Sequence, residues 1–536
     1  MLTTSVILER CRRKAAGEES LAKILHCIQD DIFIAVPPQK PQKGEKYASN
    51  TKKVFYFVFI YNILNKFHTS AAPSGAREGT MDYQIFLKIL RGGEIIHLAG
   101  IGGISMRALA RCLQARGAAV QGSDRDDSPV TQALRQDGIP VAVGHEAENL
   151  GDARLVIRTA AINDQNPEIA AARAAGIPVC ERAEAWGFLM RDYGAAVCIA
   201  GTHGKTSTTS MAAMVAMEAG LDPTIMVGGE LSAIGGPLRL GEGELFIAEA
   251  DEYRNSFLHF LPTVGVILNI DRDHVDFFGN VEDTIASFRT YAGRTVEGGV
   301  LVINADDPKI TQAVDGLGKP AITFGLSGSA DVWPQNPAQE GGFYRCTVMV
   351  HDAPYADIAL KVPGKHNLMN ALAVAAVAWH LNIPGPVFAR GIAGYTGVGR
   401  RFEFKKAWRD ARLFDDYAHH PAEIRATLET ARAMTAGRVI CVFQPHTYSR
   451  TAGLMDDFAE ALSLCDIPVI CPIFAAREQP MEGVSAETLA QKTAGGRYAD
   501  SLEAAARMVE SAVKPGDLIL TMGAGDVWKV GDLLCV

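Results

Sequence analysis

The sequence predicts three consecutive α/β domains, and three observations predict them. Short apolar runs alternate with segments of helical character from residue 81 to the C-terminus. Two of those runs lead straight into glycine turns, Gly100-Ile-Gly-Gly-Ile-Ser-Met106 and Gly201-Thr-His-Gly-Lys-Thr206, each followed by a helix. A third segment, Gly394-Tyr-Thr-Gly-Val-Gly399, separates the second alternating block from another, and its glycines and exposed polar character suit an interdomain hinge. The expected divisions are a leader over 1–80 and domains over 81–193, 194–397 and 398–536.

The chain of 536 residues has room for about three or four domains of ordinary size. The leader differs from the rest. It mixes charged stretches, a Pro/Lys-rich segment and the apolar run Val54 to Tyr61, and no chemistry is legible in it. Met81 is read as the natural start and the leader as an upstream extension, a poorly ordered tail being the alternative. The apolar run is well short of the ~20 residues that a membrane-spanning helix needs, so no membrane insertion is expected. Residues 1–80 carry 12 Lys and Arg against 7 Asp and Glu, which leaves 40 against 54 for the remainder. So acidic a body, with no basic cluster, argues against nucleic acid as the main partner. Ten scattered cysteines with no C-x-x-C pair fit reduced thiols in a cytoplasmic enzyme.

The first domain opens with a strand over 94–99, the glycine turn, a helix over 107–116 and a second strand over 118–121 ending at Gly122-Ser-Asp124. This is a Rossmann-like β-α-β unit with an acidic residue about 20 positions past the glycines. Ser105 stands where the third glycine of that fingerprint belongs. A nicotinamide site, a nucleotide-diphosphate site and a plain tight turn are all compatible with it. Strands over 155–157 and 177–179 and a helix over 183–190 continue the alternation.

The second domain is P-loop ATPase-like. The strand 195–200 runs into Gly201, Thr202, His203, Gly204, Lys205, Thr206 and Ser207, and a helix over 208–217 follows. Backbone N–H groups and a positive helix end then converge on phosphates, Lys205 neutralises them and Thr206 can ligate Mg²⁺. The loop is a shortened form, closed by Gly201, with Ile199 where the usual spacing puts a glycine. It is read as an ATP site. Two further strands, 245–248 and 264–268, end in Glu249-Ala-Asp-Glu252 and Asn269-Ile-Asp-Arg-Asp-His-Val-Asp276. Carboxylates and a histidine at the ends of two strands read as neighbours make Glu249 and His274 candidate metal ligands. Asn367 and Asn370 precede a small-residue helix over 371–379 and can either cap it or reach the adenosine.

The third domain alternates strands (438–443, 468–471, 518–522) with helices and is again Rossmann-like. Its loops carry Gly399-Arg-Arg-Phe-Glu403, Asp415-Asp-Tyr-Ala-His-His420 and Gln444-Pro-His-Thr-Tyr-Ser-Arg450. Charged residues gathered on three loop tips point to a site more than to a solvated edge.

Read together, these motifs resemble the Mur ligases, ATP-dependent enzymes that add amino acids to the UDP-linked muramic acid precursor of peptidoglycan. The resemblance runs from about residue 90 to the C-terminus, and His203, where relatives carry Asn, favours the member that adds L-alanine. It implies UDP-N-acetylmuramate over Gly102 and Gly103, with Ser105 and Asp124 close by. It implies ATP at 201–207 with Asn367, Asn370, Arg401 and Asp416, and Mg²⁺ at Thr206, Glu249 and His274. Arg450 would meet ATP and the reacting groups, and His203 or His420 would deprotonate the amine. Two departures are Tyr253-Arg-Asn-Ser256 and Thr447. Other readings are a recycling ligase for a preformed tripeptide, a folate-type polyglutamate ligase and a catalytically silent ATP sensor.

Overall fold

Three sheets succeed one another along the chain in the computed structural model, which describes residues 81–159, 161–274, 277–476 and 478–534. The expectations for the leader lie outside the described residues.

The first sheet holds β1 (Ile95–Ala99), β2 (Ala119–Asp124), β3 (Val141–Val143), β4 (Leu155–Arg158) and β5 (Val179–Glu181). Their order is β3-β2-β1-β4-β5, parallel throughout, so the order reverses beside β1 and leaves a crevice at the strand C-termini. β2 runs to Asp124, three residues beyond the prediction, because Ser123 continues the pairing with Ala99.

The second sheet contains β6 (Ala195–Ala200), β7 (Thr224–Leu231), β8 (Gly236–Arg239), β9 (Leu245–Ala250), β10 (Val264–Ile267), β11 (Val300–Asn304), β12 (Ala321–Phe324), β13 (Val332–Glu340), β14 (Phe343–Val350) and β15 (Ala353–Ala359). The order is β15-β14-β13-β12-β11-β10-β6-β9-β7-β8. Strands β7 and β9 to β13 pair in parallel around β6, while β13, β14 and β15 form an antiparallel ribbon at one edge. That ribbon was not expected. Pro334 and Pro337 argue against a strand, and the sheet absorbs them with a register shift between Gln335 and Ala338, where Asn336 takes a positive φ of 51°. The helix after the phosphate loop spans Lys205–Glu218 and is buried nearly all round, under helices Lys365–His380 and Gly385–Gly394. At Gly391 a Cβ would come within 2.6 Å of Val215 Cα, so glycine is what lets those two helices touch.

The segment read as an exposed hinge is partly core. Tyr395 and Val398 are buried with the middle sheet's apolar cluster, so that domain holds the first residues of the connection to the third. The third sheet comprises β16 (Glu403–Trp408), β17 (Ala411–Asp416), β18 (Val439–Phe443), β19 (Ile467–Ile470), β20 (Arg497–Tyr498) and β21 (Leu518–Met522), ordered β16-β17-β21-β18-β19-β20. Only β16, at the edge, is antiparallel. The predicted class of three serial α/β domains is the observed one. Among the described residues no helix is long and apolar enough to cross a membrane.

Candidate active site

The phosphate loop leaves β6 through two glycines that no other residue could replace without displacement. Gly201 and Gly204 have φ of 148° and 83°. A Cβ on them would lie 2.9 Å from Leu268 Cβ and from Asn370 Oδ1 respectively. The loop is clamped to the chain leaving β10. The His203 N–H donates to Asn269 Oδ1 at 2.7 Å, and the Asp271 N–H to Thr202 Oγ1 at 2.9 Å. Lys205 Nζ donates to Gly201 O (2.7 Å), Thr202 O (3.2 Å) and Glu252 Oε2 (2.7 Å). Burial opposes its charge, but the Glu252 and Asp251 carboxylates outweigh that and raise its pKa. Ser207 lies in the first turn of the helix Lys205–Glu218 that the loop opens.

The candidate metal ligands divide into two groups. β9 extends to Ala250, so Glu249 lies inside the strand, where it accepts the Gly228 N–H at 2.7 Å, and Thr206 is buried in the first turn of the helix that follows the loop. Burial pushes the Glu249 carboxyl up. The expected adjacency of the strands that carry Glu249 and His274 does not hold, because β6 lies between β9 and β10. His274 also sits seven residues past the end of β10, at a positive φ of 50°. It faces Glu252 (Nε2 to Oε1, 3.8 Å), and Asp251, Glu252 and His274 offer ligand atoms all within 4.8 Å of one another. Glu252 is 1% exposed, and its Oε1 has no hydrogen-bond partner among the described residues. An orphaned, buried carboxylate oxygen in an oxygen-rich group fits a hard divalent cation such as Mg²⁺.

The third domain roofs this loop. Arg450 donates from Nε to Asp273 Oδ1 at 2.9 Å, and both side chains are buried. Burial works against ionisation of Asp273, yet Arg450 holds its carboxyl well below the usual range. His203 lies between two carboxylates, 3.3 Å from Glu423 and 3.6 Å from Asp271. Burial disfavours its charge, but those partners overcome it and lift the pKa to about 9. The His420 ring packs 4.6 Å from it, with a pKa lowered by burial. His420 Nδ1 accepts the Ala422 N–H as the cap of helix Pro421–Met434, and its Nε2 donates to Arg272 O at 3.0 Å. Neither histidine therefore presents a free lone pair in this arrangement. Arg401 is 3.9 Å from Glu423 and stacks over Tyr417. Asp416 is turned inward, with its oxygens taken by the Phe402 and Ala418 N–H groups at 2.7 Å, and burial raises it to about 6. It orders the Arg401 and His420 loops through one backbone N–H on each oxygen. Asn367 and Asn370 lie inside the helix Lys365–His380, not at its cap. Asn370 touches the phosphate loop and Asn367 bonds Pro363 O.

In the first domain Gly102 donates its N–H to Asp124 Oδ2 at 2.8 Å, so Asp124 fastens the glycine turn. Gly103 caps helix Ile104–Ala115, with Ser105 in its first turn. Beyond the ends of β4 and β5 a cleft of about 480 Å³ opens against residues 253–259 of the middle domain. Arg158, Asn163, Arg182, Arg254, Ser256 and His259 contribute to its walls, a lining suited to an anionic, hydroxyl-rich ligand. The departures are both backbone features. Arg254 and Asn255 are left-handed (φ 52° and 60°), as is Thr447 (φ 66°).

Four residues of this site carried no role in the sequence reading: Glu252, Asp271, Asp273 and Glu423. The first three lie in the acidic motifs already singled out, so the signal was a count of carboxylates without a way to choose among them. Glu423 follows His-His-Pro in the first turn of a helix, where an acid is most simply read as serving the helix dipole.

Comparison with known proteins agrees with this geometry. Residues 95–194 match the Mur ligase family, catalytic domain; 199–378 the Mur ligase middle domain; and 400–525 the Mur ligase, glutamate ligase domain. A protein of Agathobacter rectalis named UDP-N-acetylmuramate–L-alanine ligase is 43% identical over 443 residues, which is 82% of this chain and 96% of that protein. Its namesake from Acetivibrio thermocellus is 42% identical over 82% of this chain and 95% of its own. Among solved structures, UDP-N-acetylmuramate-alanine ligase of Thermotoga maritima matches with a TM-score of 0.67 and 29% identity, covering 82% of this chain and 98% of that one. A three-sheet chain with an ATP-type loop beneath a charged roof, so matched along nearly all its described length, belongs to the Mur ligase family.

Proposed function

We propose that the chain ligates L-alanine to the lactyl carboxylate of UDP-N-acetylmuramate, with conversion of ATP to ADP and phosphate, in the cytoplasm. One observation carries this reading. The phosphate loop of the middle sheet lies directly under the His420, Glu423 and Arg450 loops of the third.

A carboxylate is a poor acyl donor. The γ-phosphoryl group of ATP therefore passes first to a carboxylate oxygen, breaking the bond to ADP and leaving an acyl phosphate. The alanine nitrogen then attacks the carbonyl carbon, and the tetrahedral intermediate expels phosphate as the amide forms. Phosphoryl transfer asks chiefly for positioning and charge neutralisation. Lys205 supplies a fixed cation once phosphate oxygens replace Gly201 O and Thr202 O around it. Thr206 with Glu249, and Asp251 and Glu252 with His274, are the groups that would hold Mg²⁺, which when bound neutralises the transferring phosphoryl group. The roof excludes water, which would hydrolyse the acyl phosphate. The cleft beside β4 and β5 is where the sugar end of the nucleotide fits, with its diphosphate on the Gly102 and Gly103 turn.

The test is phosphate release from ATP with UDP-N-acetylmuramate and either L-alanine or a tripeptide. Release should require the sugar nucleotide and L-alanine together. Efficient turnover with tripeptide and none with alanine would instead make this chain a recycling ligase.

A further inference from the structure

Beneath the glycine turn of the first domain lies a buried polar cluster that the mechanism does not use. Glu168, in the first turn of helix Pro167–Ala174, is fully buried. Its Oε2 accepts the Ser123 hydroxyl at 2.7 Å, with His145 Nδ1 at 3.2 Å and His97 Nε2 at 3.4 Å. Its Oε1 accepts Asn149 Nδ2 at 2.8 Å. A buried carboxylate so surrounded is an organising centre, because each partner arrives from a different element and charge-assisted bonds fix direction as well as distance.

What it organises is the end of β2. The Ser123 carbonyl accepts the N–H groups of both Gly100 (2.8 Å) and Ile101 (3.0 Å). The next residue, Asp124, takes the Gly102 N–H on its side chain and the Gly144 N–H on its carbonyl, both at 2.8 Å. Three consecutive amides of the turn therefore hang from Ser123 and Asp124, and the Ser123 side chain hangs from Glu168.

We propose that Glu168 is a positioning residue for the sugar nucleotide. Acting through Ser123, it sets the glycine turn at the height where the Gly102–Gly103 backbone meets the diphosphate. This rests on the reading of that turn as the diphosphate site. Glu168 touches no substrate in this account. Its carboxylate is an acceptor on both oxygens, so the amide of Glu168→Gln must turn a donor towards one of the donors it now receives.

The experiment measures UDP-N-acetylmuramate affinity by calorimetry, and KM and kcat in the phosphate-release assay, for Glu168→Gln, Ser123→Ala, their double variant and Gly103→Ala. Glu168→Gln should raise Kd and KM for the sugar nucleotide about tenfold, leaving KM for ATP and kcat at saturation within about twofold. Ser123→Ala should give a smaller rise of about threefold, and the double variant should be no worse than Glu168→Gln alone. Parent-like affinity in folded Glu168→Gln, or additive effects in the double variant, would overturn the proposal. If Glu168→Gln does not fold, unchanged affinity in Ser123→Ala overturns it. Gly103→Ala separates the two ideas. Gly103 has a φ of −66° and its added methyl would meet the chain only at 3.6 Å, so the fold tolerates it. Weakened binding there supports the turn as the diphosphate site, and parent-like binding removes that reading and this proposal with it.

Discussion

Replacing His203 by Asn should remove a specific pH dependence from the protein. The imidazole is held between Glu423 and Asp271, its side chain is 15% exposed, and its pKa is lifted to about 9. Set against an ordinary value near 6.5, that is roughly 2.5 units, or about 3 kcal/mol at 1.36 kcal/mol per unit. The folded pKa lies above the unfolded one. This stabilisation is therefore fully present below about pH 6.5 and is lost as pH rises through about 9. Because Glu423 belongs to the third domain and His203 to the phosphate loop, part of the loss should appear as a loosened roof. Two measurements check it. The ¹³C-labelled histidine spectrum should contain one resonance titrating near 9 that is missing from His203→Asn. Denaturant unfolding of parent and variant should differ by about 3 kcal/mol more at pH 6 than at pH 10. A His203 resonance titrating near 6.5, or a stability gap independent of pH, would refute the ion-pair reading of this residue.

Lys205→Ala should lower kcat about a hundredfold or more, since a fixed cation at the transferring phosphoryl is worth about 3 kcal/mol, while calorimetric binding of UDP-N-acetylmuramate stays intact. Asp273→Asn leaves Arg450 buried without its counter-charge, at a cost of about 3–5 kcal/mol. The melting temperature should fall and small-angle scattering should show a more open particle; a variant identical to the parent in both would dismiss the bridge. His274→Ala should raise the Mg²⁺ concentration for half-maximal rate and barely change ligand-free melting. If it melts far below the parent yet keeps its Mg²⁺ response, His274 is a structural histidine.

The elements that were legible share a physical character. β6, β9, β18 and β21 are continuous apolar runs because both their faces are covered, and such runs announce buried parallel strands. The phosphate loop was legible because its chemistry demands glycines and a lysine at fixed spacing. The ribbon β13–β15 was not, because its exposed edge tolerates prolines and polar residues that speak against a strand. The site divides in the same way. Residues near one another in sequence, such as Gly201 to Ser207, form one strand-to-helix loop, as their spacing predicts. Pairings made across sheets, such as Glu423 with His203, Arg450 with Asp273 and Glu252 with Lys205, depend on strand order. The reading of the Glu249 and His274 strands as neighbours failed for that reason, since a string of residues does not reveal that β6 lies between them.

The two histidines offered as amine bases raise a question that His420 can answer. In this arrangement His203 carries a proton below about pH 9, and the Nδ1 lone pair of His420 is committed to the Ala422 N–H. A base must expose a lone pair to the attacking nitrogen, so His420 could act only by giving up its cap. The competing role is structural. His420 closes the first turn of helix Pro421–Met434 and ties the third domain to Arg272 of the middle one. Asparagine separates these roles, because its side-chain oxygen caps a helix about as well as any residue while its amide accepts no proton at neutral pH. His420→Asn should therefore hold thermal stability near the parent value and retain turnover within about tenfold, whereas His420→Ala should lose about 1 kcal/mol of stability with the cap. A His420→Asn protein that melts like the parent but turns over a hundredfold more slowly would make His420 the proton acceptor, and its cap a resting position that catalysis abandons.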